Sequence, residues 1–393
     1  MAESIRILVQ RAVDSAVIAG AVTLVADADG ILDAQGFGVC DAATGSPMPV
    51  DALFWVASMS KPVTGTAAML LVDEGLLDLD KPIATYLPEW TDQMMIAQGK
   101  DLPAGTTVLV KPPRLPTIRD ALSHTAGLPM GARPELMRSP HHSSAITIDR
   151  FSLAHAASVY ALTPLATPPG STYSYSNIGI NAVGRVIEVV TGQDFAVFVH
   201  KRLLQPLGMK DTTFWPSMEQ IGRLSKCYTA RREGEERQRQ VPLPQLTPPY
   251  GSRRRGPSPA GGYFSTAADY ARFGRMLLRE GELDGTRYLS KSSVRELSRS
   301  QTGELGVQYG LGFQCGASGT ASGSAVSPGH GASGFGHGGA VGTELWVDPA
   351  AGKVTVFMVH QDGGFGAEGA QLRPSFKALG VALTRTGLAA ASL

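Results

Sequence analysis

The sequence predicts a mixed α/β protein with an antiparallel sheet built from both ends of the chain, helices packed on it and a mainly helical insertion. Hairpin patterns occur at residues 21–37 and again at 343–360, and helix signals dominate between them. With 393 residues, 43% of them hydrophobic, the chain is long enough to bury a large core. We therefore expect residues 1–80 and 213–393 to form one α/β region, and residues 81–212 to form a helical region.

The N-terminal segment has the apolar spacing of an amphipathic helix. This spacing is formed by Ile5, Leu8, Val9, Ala12, Val13, Ala16 and Val17. Two strands are predicted next, at residues 21–26 and 31–37. The turn between them contains Asp29-Gly30, which is typical of tight hairpins.

The next element is a helix over residues 62–72, which has no polar face and is therefore expected to be buried. Ser58 would lie at its N-terminus and Lys61 one turn later on the same side. Serine is a weak nucleophile unless a neighbouring base takes its proton, and a desolvated lysine is able to act as that base. Taken alone, the same residues fit an N-cap serine and a surface lysine equally well.

The remaining elements follow from caps, spacing and composition. Thr117 and Asp120 form a capping-box pattern that opens a helix at Ile118. Helices are predicted at 118–124, 177–191, 266–278 and 376–386, with another ending at 203–209; strands are predicted at 343–347 and 354–360, and long loops at 230–262 and 316–336.

Composition argues against several classes of function. The net charge of +1 gives no electrostatic case for binding nucleic acid or an anionic membrane. No apolar stretch reaches the length of a membrane helix, and the N-terminus lacks the pattern of a signal peptide, so a cytoplasmic location is expected. Cys40, Cys227 and Cys315 are widely separated and show no metal-ligand spacing. We therefore expect neither a metal nor another cofactor.

A second group of candidate residues is Tyr175-Ser176-Asn177, just before the helix predicted at 177–191. A phenol beside a lysine ammonium has its pKa lowered and is then suited to general base catalysis. Asn177 is suited to orienting the lysine or a substrate carbonyl. The alternative is a loop tyrosine that packs its ring, with Asn177 as an N-cap.

A third group is His337-Gly338-Gly339-Ala340, predicted at the entrance to the strand that carries Leu345 and Val347. Consecutive glycines let the backbone approach a ligand closely. A backbone N–H there would form an oxyanion hole with that of Ser58. His337 as the base of a conventional triad or as a metal ligand fits poorly, because the Gly-x-Ser-x-Gly elbow and nearby ligand partners are both absent from the sequence.

The motifs Ser-x-x-Lys, Tyr-Ser-Asn and His-Gly-Gly, in this order, resemble the three signature motifs of the serine beta-lactamase and penicillin-binding protein superfamily. The chain is most similar to the class C-like branch, which includes family VIII carboxylesterases, D-aminopeptidases and D-alanyl-D-alanine carboxypeptidases. Four further segments of the chain resemble recurrent segments of that branch: residues 122–128, 205–209, 260–267 and 336–339.

The resemblance implies the beta-lactamase/transpeptidase-like fold and a role for each matched residue. Ser58 would be the acylated nucleophile, Lys61 would share a proton with it, and Tyr175 would return the proton to the leaving group. The backbone N–H groups of Ser58 and Ala340 would form the oxyanion hole. Substrate contacts would come from Asn177, His337, Gly338 and Gly339. Whether Lys61 or Tyr175 takes the first proton is left open, and His124 is expected to be structural.

One departure from the superfamily pattern bears on the substrate. Penicillin-recognising members usually carry Lys-Thr-Gly at the third motif, where this chain has His337-Gly338-Gly339. A mostly neutral imidazole attracts a substrate carboxylate weakly. We therefore predict a serine hydrolase that cleaves short-chain carboxylic esters, with a small-molecule ester as its partner. The alternatives are a D-amino-acid amidase or peptidase, a weak beta-lactamase and, in a different class, a non-catalytic sensor of the penicillin-binding type. No oligomeric state is predicted.

Overall fold

A seven-stranded antiparallel sheet, to which both ends of the chain contribute, organises the fold. The structure is a computed structural model that describes residues 1–97, 107–130, 152–230, 238–244, 246, 248–316 and 334–385. Its α-helices are α1 (Ala2–Asp14), α2 (Ser60–Asp73), α3 (Ile118–Leu122), α4 (Leu153–Ala161), α5 (Asn177–Thr191), α6 (Phe195–Val199), α7 (Met218–Gly222), α8 (Ala267–Leu278), α9 (Lys291–Ser298), α10 (Gly366–Gly369) and α11 (Leu372–Val381).

The strands include long ones in the main sheet and short ones elsewhere. They are β1 (Gly20–Asp27), β2 (Ile31–Asp41), β3 (Ser46–Pro47), β4 (Phe54–Trp55), β5 (Met95–Ile96), β6 (Leu109–Val110), β7 (Cys227–Thr229), β8 (Gln240–Val241), β9 (Phe264–Ser265), β10 (Glu282–Leu283), β11 (Thr286–Arg287), β12 (Gln314–Cys315), β13 (Phe335–Gly338), β14 (Glu344–Asp348), β15 (Lys353–Met358) and β16 (Gln361–Asp362).

The order of strands in the main sheet is β12-β13-β14-β15-β1-β2-β3. Strand β1 lies between its hairpin partner β2 and the C-terminal strand β15, with Val22 opposite Met358. The predicted sheet from both chain ends is therefore confirmed. Helices α1 and α11 cover one face through Ile5, Val9 and Phe376, while α8 packs on β1, β14 and β15.

Helix α2 has no solvent-exposed face, as its composition predicted. Every residue from 60 to 71 is buried, because the helix lies against α5 and α9. The capping box at Thr117 is present at the start of α3, and α5 has the predicted bounds. These agreements matter for the site, since α2 and α5 carry its residues.

Three details of the predicted elements need correction. Residues His337 and Gly338 lie in their own strand, β13, which pairs with β14 and is not the entrance to it. The last helix begins earlier than residue 376 and ends before residue 386, which lies outside the described residues. The loop predicted at 230–262 contains strand β8, and part of it and of the loop predicted at 316–336 also falls outside the described residues.

Among the residues that the structure describes, no helix is long and apolar enough to cross a bilayer.

Candidate active site

Ser58 lies in a 3₁₀ turn, Ala57–Met59, directly before helix α2. The preceding residue, Ala57, has a φ of +46°, in the left-handed region that L-residues other than glycine rarely occupy. Such a conformation costs about 1–3 kcal/mol and persists only where surrounding structure enforces it. Here a hydrogen bond from Ser60 Oγ to the Ala57 carbonyl oxygen, 2.7 Å long, helps to hold the turn.

Lys61 is the second residue of α2 and is fully buried. Its Nζ lies 3.0 Å from Ser58 Oγ and donates to the Ala260 carbonyl oxygen over 2.8 Å. Burial lowers the pKa of Lys61 well below the ordinary lysine value, because the charged form is desolvated. The amine is thus both close to the hydroxyl and biased towards its neutral form.

Tyr175 comes from the segment before α5, and its hydroxyl donates to Ser58 Oγ over 2.8 Å. Lys61 Nζ lies 4.6 Å from the centre of the Tyr175 ring. The structure therefore brings the three predicted residues together around one oxygen atom. Burial raises the pKa of Tyr175, which is opposite to the direction expected from a lysine ammonium, because desolvation of the phenolate is the larger effect.

The Ala260 carbonyl group is a part of the site that the side-chain pattern did not reveal. Its segment is held from two helices. Asn181 Oδ1 on α5 accepts from the Ala260 N–H over 2.9 Å, and Thr64 Oγ1 on α2 donates to the Pro259 carbonyl oxygen over 2.8 Å. Asn181 and Thr64 are both buried. These bonds fix the acceptor that anchors the Lys61 amine.

The predicted oxyanion hole lies at two adjacent turns. In the 3₁₀ turn the bond runs from Met59 N–H to the Val56 carbonyl oxygen, so the N–H of Ser58 is not used by the turn. Likewise, a hydrogen bond from Gly342 N–H to the Gly339 carbonyl oxygen closes a turn in which Ala340 is the second residue. That turn bond leaves the Ala340 N–H unused, and Ala340 is exposed.

Gly339 is needed for these two turns to approach each other. A Cβ atom on Gly339 would clash with Thr343 Oγ1 and with the Val56 carbonyl oxygen. Thr343 Oγ1 also donates to that carbonyl group over 3.4 Å, which links the turn after β13 to the turn of Ser58. The absence of a side chain at Gly339 therefore allows two parts of the protein to approach closely, and the predicted approach of this backbone to a ligand stays a prediction.

The structure corrects the predicted substrate contact of the His337 side chain. His337 is 2% exposed, and its two ring nitrogens are engaged by Tyr309 Oη at 2.9 Å and by the Gly338 carbonyl oxygen at 2.7 Å. Burial lowers the pKa of His337 to about 3. The ring is therefore neutral and occupied by protein partners, so that only the backbone of this motif is available to a ligand.

Asn177 is the first residue of α5, and its side chain is half-buried. Its Oδ1 atom is buried without a hydrogen-bond partner. It therefore does not orient Lys61 through this atom, because the lysine amine is anchored by Ala260. Within the described ranges, no cluster of three or more His, Cys, Asp or Glu side chains is arranged to hold a metal ion.

Comparison with known proteins gives consistent results over nearly the whole chain. The profile of the family described as Beta-lactamase matches residues 5–375. Protein Rv1367c of Mycobacterium tuberculosis is 32% identical over 364 residues, which cover 88% of this chain and 87% of that protein. Esterase EstB of Burkholderia gladioli is 34% identical over 200 residues, covering 50% of this chain and 47% of the esterase.

The fold is also found among solved structures. EstCE1, described as a hydrolase with promiscuous acyltransferase activity, superimposes with a TM-score of 0.75 at 23% identity, covering 97% of this chain and 98% of the other. This likeness shows the beta-lactamase/transpeptidase-like fold, and the matched profile shows that the chain belongs to the Beta-lactamase family.

Proposed function

We propose that this protein is a serine carboxylesterase that cleaves short-chain esters through an acyl-enzyme on Ser58, as in the family VIII branch. The observation that carries the proposal is the position of Ser58 Oγ, 3.0 Å from Lys61 Nζ and 2.8 Å from Tyr175 Oη. A hydroxyl group bracketed by two proton-transfer groups is suited to nucleophilic catalysis. Similarity to Esterase EstB supports the same reaction class.

In the proposed acylation step, Lys61 takes the proton of Ser58 while Oγ attacks the ester carbonyl carbon. The opposite pKa shifts favour this assignment, because a neutral amine next to a neutral phenol leaves Lys61 as the better base. The N–H groups of Ser58 and Ala340 then stabilise the oxyanion. Tyr175 donates its proton to the departing alkoxide and regains one from the Lys61 ammonium.

In the proposed deacylation step, the same groups act on water. The Lys61–Tyr175 pair removes a proton from a water molecule, the hydroxide attacks the acyl carbonyl carbon, and Ser58 leaves with a proton returned by the pair. One ester and one water thus give one carboxylic acid and one alcohol, and the enzyme is restored. The reaction requires no group beyond those described around Ser58.

The third motif supports esters over carboxylate-bearing substrates. The neutral and buried ring of His337 offers no positive charge where penicillin-recognising relatives usually carry lysine. A charged hydrogen bond contributes about 1.5–3 kcal/mol, so its loss corresponds to about ten- to a hundredfold in selectivity. This argument disfavours the peptidase and beta-lactamase alternatives, while the assembled Ser58 centre disfavours a non-catalytic sensor.

The test is a panel of three substrates with purified protein: a butyrate aryl ester, a D-alanine amide and a chromogenic cephalosporin. We expect kcat/KM for the ester to exceed that for the cephalosporin by at least about tenfold, from the missing charged hydrogen bond. A cephalosporin value equal to or above the ester value would restore a beta-lactamase assignment. A kcat/KM that is highest for the D-alanine amide would instead indicate a D-amino-acid amidase.

A further inference from the structure

Two buried histidines and a buried tyrosine form a hydrogen-bonded chain beside the site. His124 Nε2 lies 3.1 Å from Tyr309 Oη, and Tyr309 Oη lies 2.9 Å from His337 Nε2. At one end, the Ser176 N–H donates to His124 Nδ1 over 3.1 Å. At the other end, His337 Nδ1 lies 2.7 Å from the Gly338 carbonyl oxygen. All three side chains are at most 2% exposed.

The backbone groups at the two ends of this hydrogen-bonded chain fix the position of every proton in it. A backbone N–H only donates, so His124 Nδ1 is unprotonated and its Nε2 carries the hydrogen. A backbone carbonyl only accepts, so His337 Nδ1 carries the hydrogen and its Nε2 accepts. Tyr309 therefore accepts from His124 and donates to His337. A proton on His124 Nδ1 would oppose the Ser176 N–H, and a proton on His337 Nε2 would deprive the Tyr309 hydroxyl hydrogen of its acceptor, so both rings are held neutral.

The chain connects the two sides of the site. His124 supports Tyr175, since their ring centres are 4.4 Å apart and Ser176 follows Tyr175 directly. His337 and Gly338 form the end of β13, which leads into the turn of Ala340. Among the described residues of this hydrogen-bonded chain, the Tyr309 hydroxyl alone connects the two histidine rings by hydrogen bonds. Its loss would leave a buried donor and a buried acceptor without partners.

We propose that Tyr309 is a positioning residue of this site, whose hydroxyl orders the protons of His124 and His337 and keeps the third motif uncharged. The inference rests on the proposed esterase function for its catalytic consequence, but the proton order itself does not. By this account, Tyr309 holds the Tyr175 segment and the strand before Ala340 in place, and it keeps the His337 ring from contributing a positive charge to the cleft.

The ionisable groups around the two rings either lower the pKa of the histidines, as burial does, or have a smaller effect than burial. They are Lys61 from α2, Glu344 from β14, and the phenols of Tyr173, Tyr175 and Tyr309. Burial lowers the pKa of both histidines, and Lys61 lowers both further whenever it carries a proton. Glu344 raises the pKa of His337, but burial has the larger effect.

The first test is a long-range ¹H–¹⁵N spectrum of the full-length protein labelled at histidine. Free histidines titrate near pH 6.5. Besides His360, which is also buried and neutral and whose Nε2 accepts from the Trp55 N–H, we expect two rings that stay neutral from about pH 8 to about pH 5.5, one as the Nε2–H tautomer and one as the Nδ1–H tautomer. Both should shift in Tyr309→Phe, which identifies them as His124 and His337. Titration of either ring near its ordinary pKa, or two identical tautomers, would overturn the proposal.

The second test is catalytic. Tyr309→Phe should lower kcat for the butyrate ester by about tenfold or more, because small misplacements of catalytic groups are costly, while KM stays within about threefold. Tyr228→Phe is the matched control, since Tyr228 is also buried and its hydroxyl accepts one backbone hydrogen bond, from Ala42. It should retain kcat. Wild-type kcat in folded Tyr309→Phe would contradict the positioning role.

The two tests separate this inference from the proposed function. If the wild-type protein shows the two neutral tautomers but hydrolyses no ester, the esterase assignment fails and the proton order stands. If it hydrolyses esters and its histidines titrate freely, the esterase assignment stands and the role of Tyr309 fails. Even where Tyr309→Phe does not fold, a wild-type spectrum without a neutral Nε2–H ring between about pH 8 and about pH 5.5 would overturn the role of Tyr309, because His124 is the ring expected in that form.

Discussion

The surroundings of Ser58 and of His337 differ in how their protons are arranged. At Ser58, a hydroxyl, an amine and a phenol meet within 3.0 Å, and more than one arrangement of their protons satisfies the contacts. At His337, backbone groups at both ends of the chain through Tyr309 and His124 permit a single arrangement. Under the proposed function, the Ser58 cluster would move protons and the His337 cluster would hold them.

Burial has different consequences in the two clusters. It lowers the pKa of Lys61, which makes the amine available as a base, and it raises the pKa of Tyr175, which keeps the phenol protonated. In His337 the same effect removes a charge that would attract carboxylates. Under the proposed function, burial would therefore favour reactivity at Ser58 and substrate selectivity at His337.

The largest effect is expected from removing the proposed nucleophile, Ser58. Ser58→Ala should reduce ester turnover by at least about 10⁴-fold, since removing the nucleophile of such a unit costs several orders of magnitude. The measurement is kcat/KM for a butyrate aryl ester. Activity retained in a folded Ser58→Ala variant would remove the distinction between the two clusters.

The next effect concerns the two proton carriers. Lys61→Ala and Tyr175→Phe should each lower kcat by at least about a hundredfold, the usual scale for losing general acid–base help. Because both groups contact Ser58 Oγ, the double variant should be far from additive. Tyr173→Phe is the control and should stay near wild type. The reverse result for the two tyrosines would assign the role to Tyr173.

A smaller effect is expected from the backbone support of Lys61. Asn181→Ala should lower kcat about tenfold, or ~1.4 kcal/mol, because the Ala260 carbonyl group would no longer be held for the amine. Gln93→Ala is a matched control, since the Gln93 amide is buried and donates to the backbone carbonyl group of Thr163. Both variants should lose stability. Equal kcat values in Asn181→Ala and Gln93→Ala would argue that the position of the Ala260 carbonyl group has no catalytic importance.

Much of the fold follows from local signals in the sequence. The apolar composition of α2 predicted a buried helix, and the hairpin patterns predicted strands at the positions of β1 and β15. The exception is β13, where Gly336, His337 and Gly338 carry little strand propensity. Its strand geometry comes from pairing with β14, which is a tertiary effect that no local pattern contains.

The candidate site was predictable to the extent that its chemistry lies in side chains with recognisable spacing. Ser58 and Lys61 are three residues apart, and Tyr175 was found through the order of the motifs. Ala260 contacts Lys61 through its carbonyl group, which every residue has, so that the resemblance of residues 260–267 to a recurrent segment did not reveal this contact. Tyr309 lies outside the recognised motifs, and its importance depends on two histidines that are distant in the chain.

The most direct test of the proposed Ser58 centre is intact-protein and peptide mass spectrometry after treatment with a fluorophosphonate probe. We expect one adduct, on the peptide that contains Ser58, with ester hydrolysis lost in proportion to labelling. The Lys61→Ala variant should be labelled more slowly, because its Ser58 hydroxyl lacks the proposed base. Labelling at a different serine, with hydrolysis unaffected by occupancy of Ser58, would contradict the account.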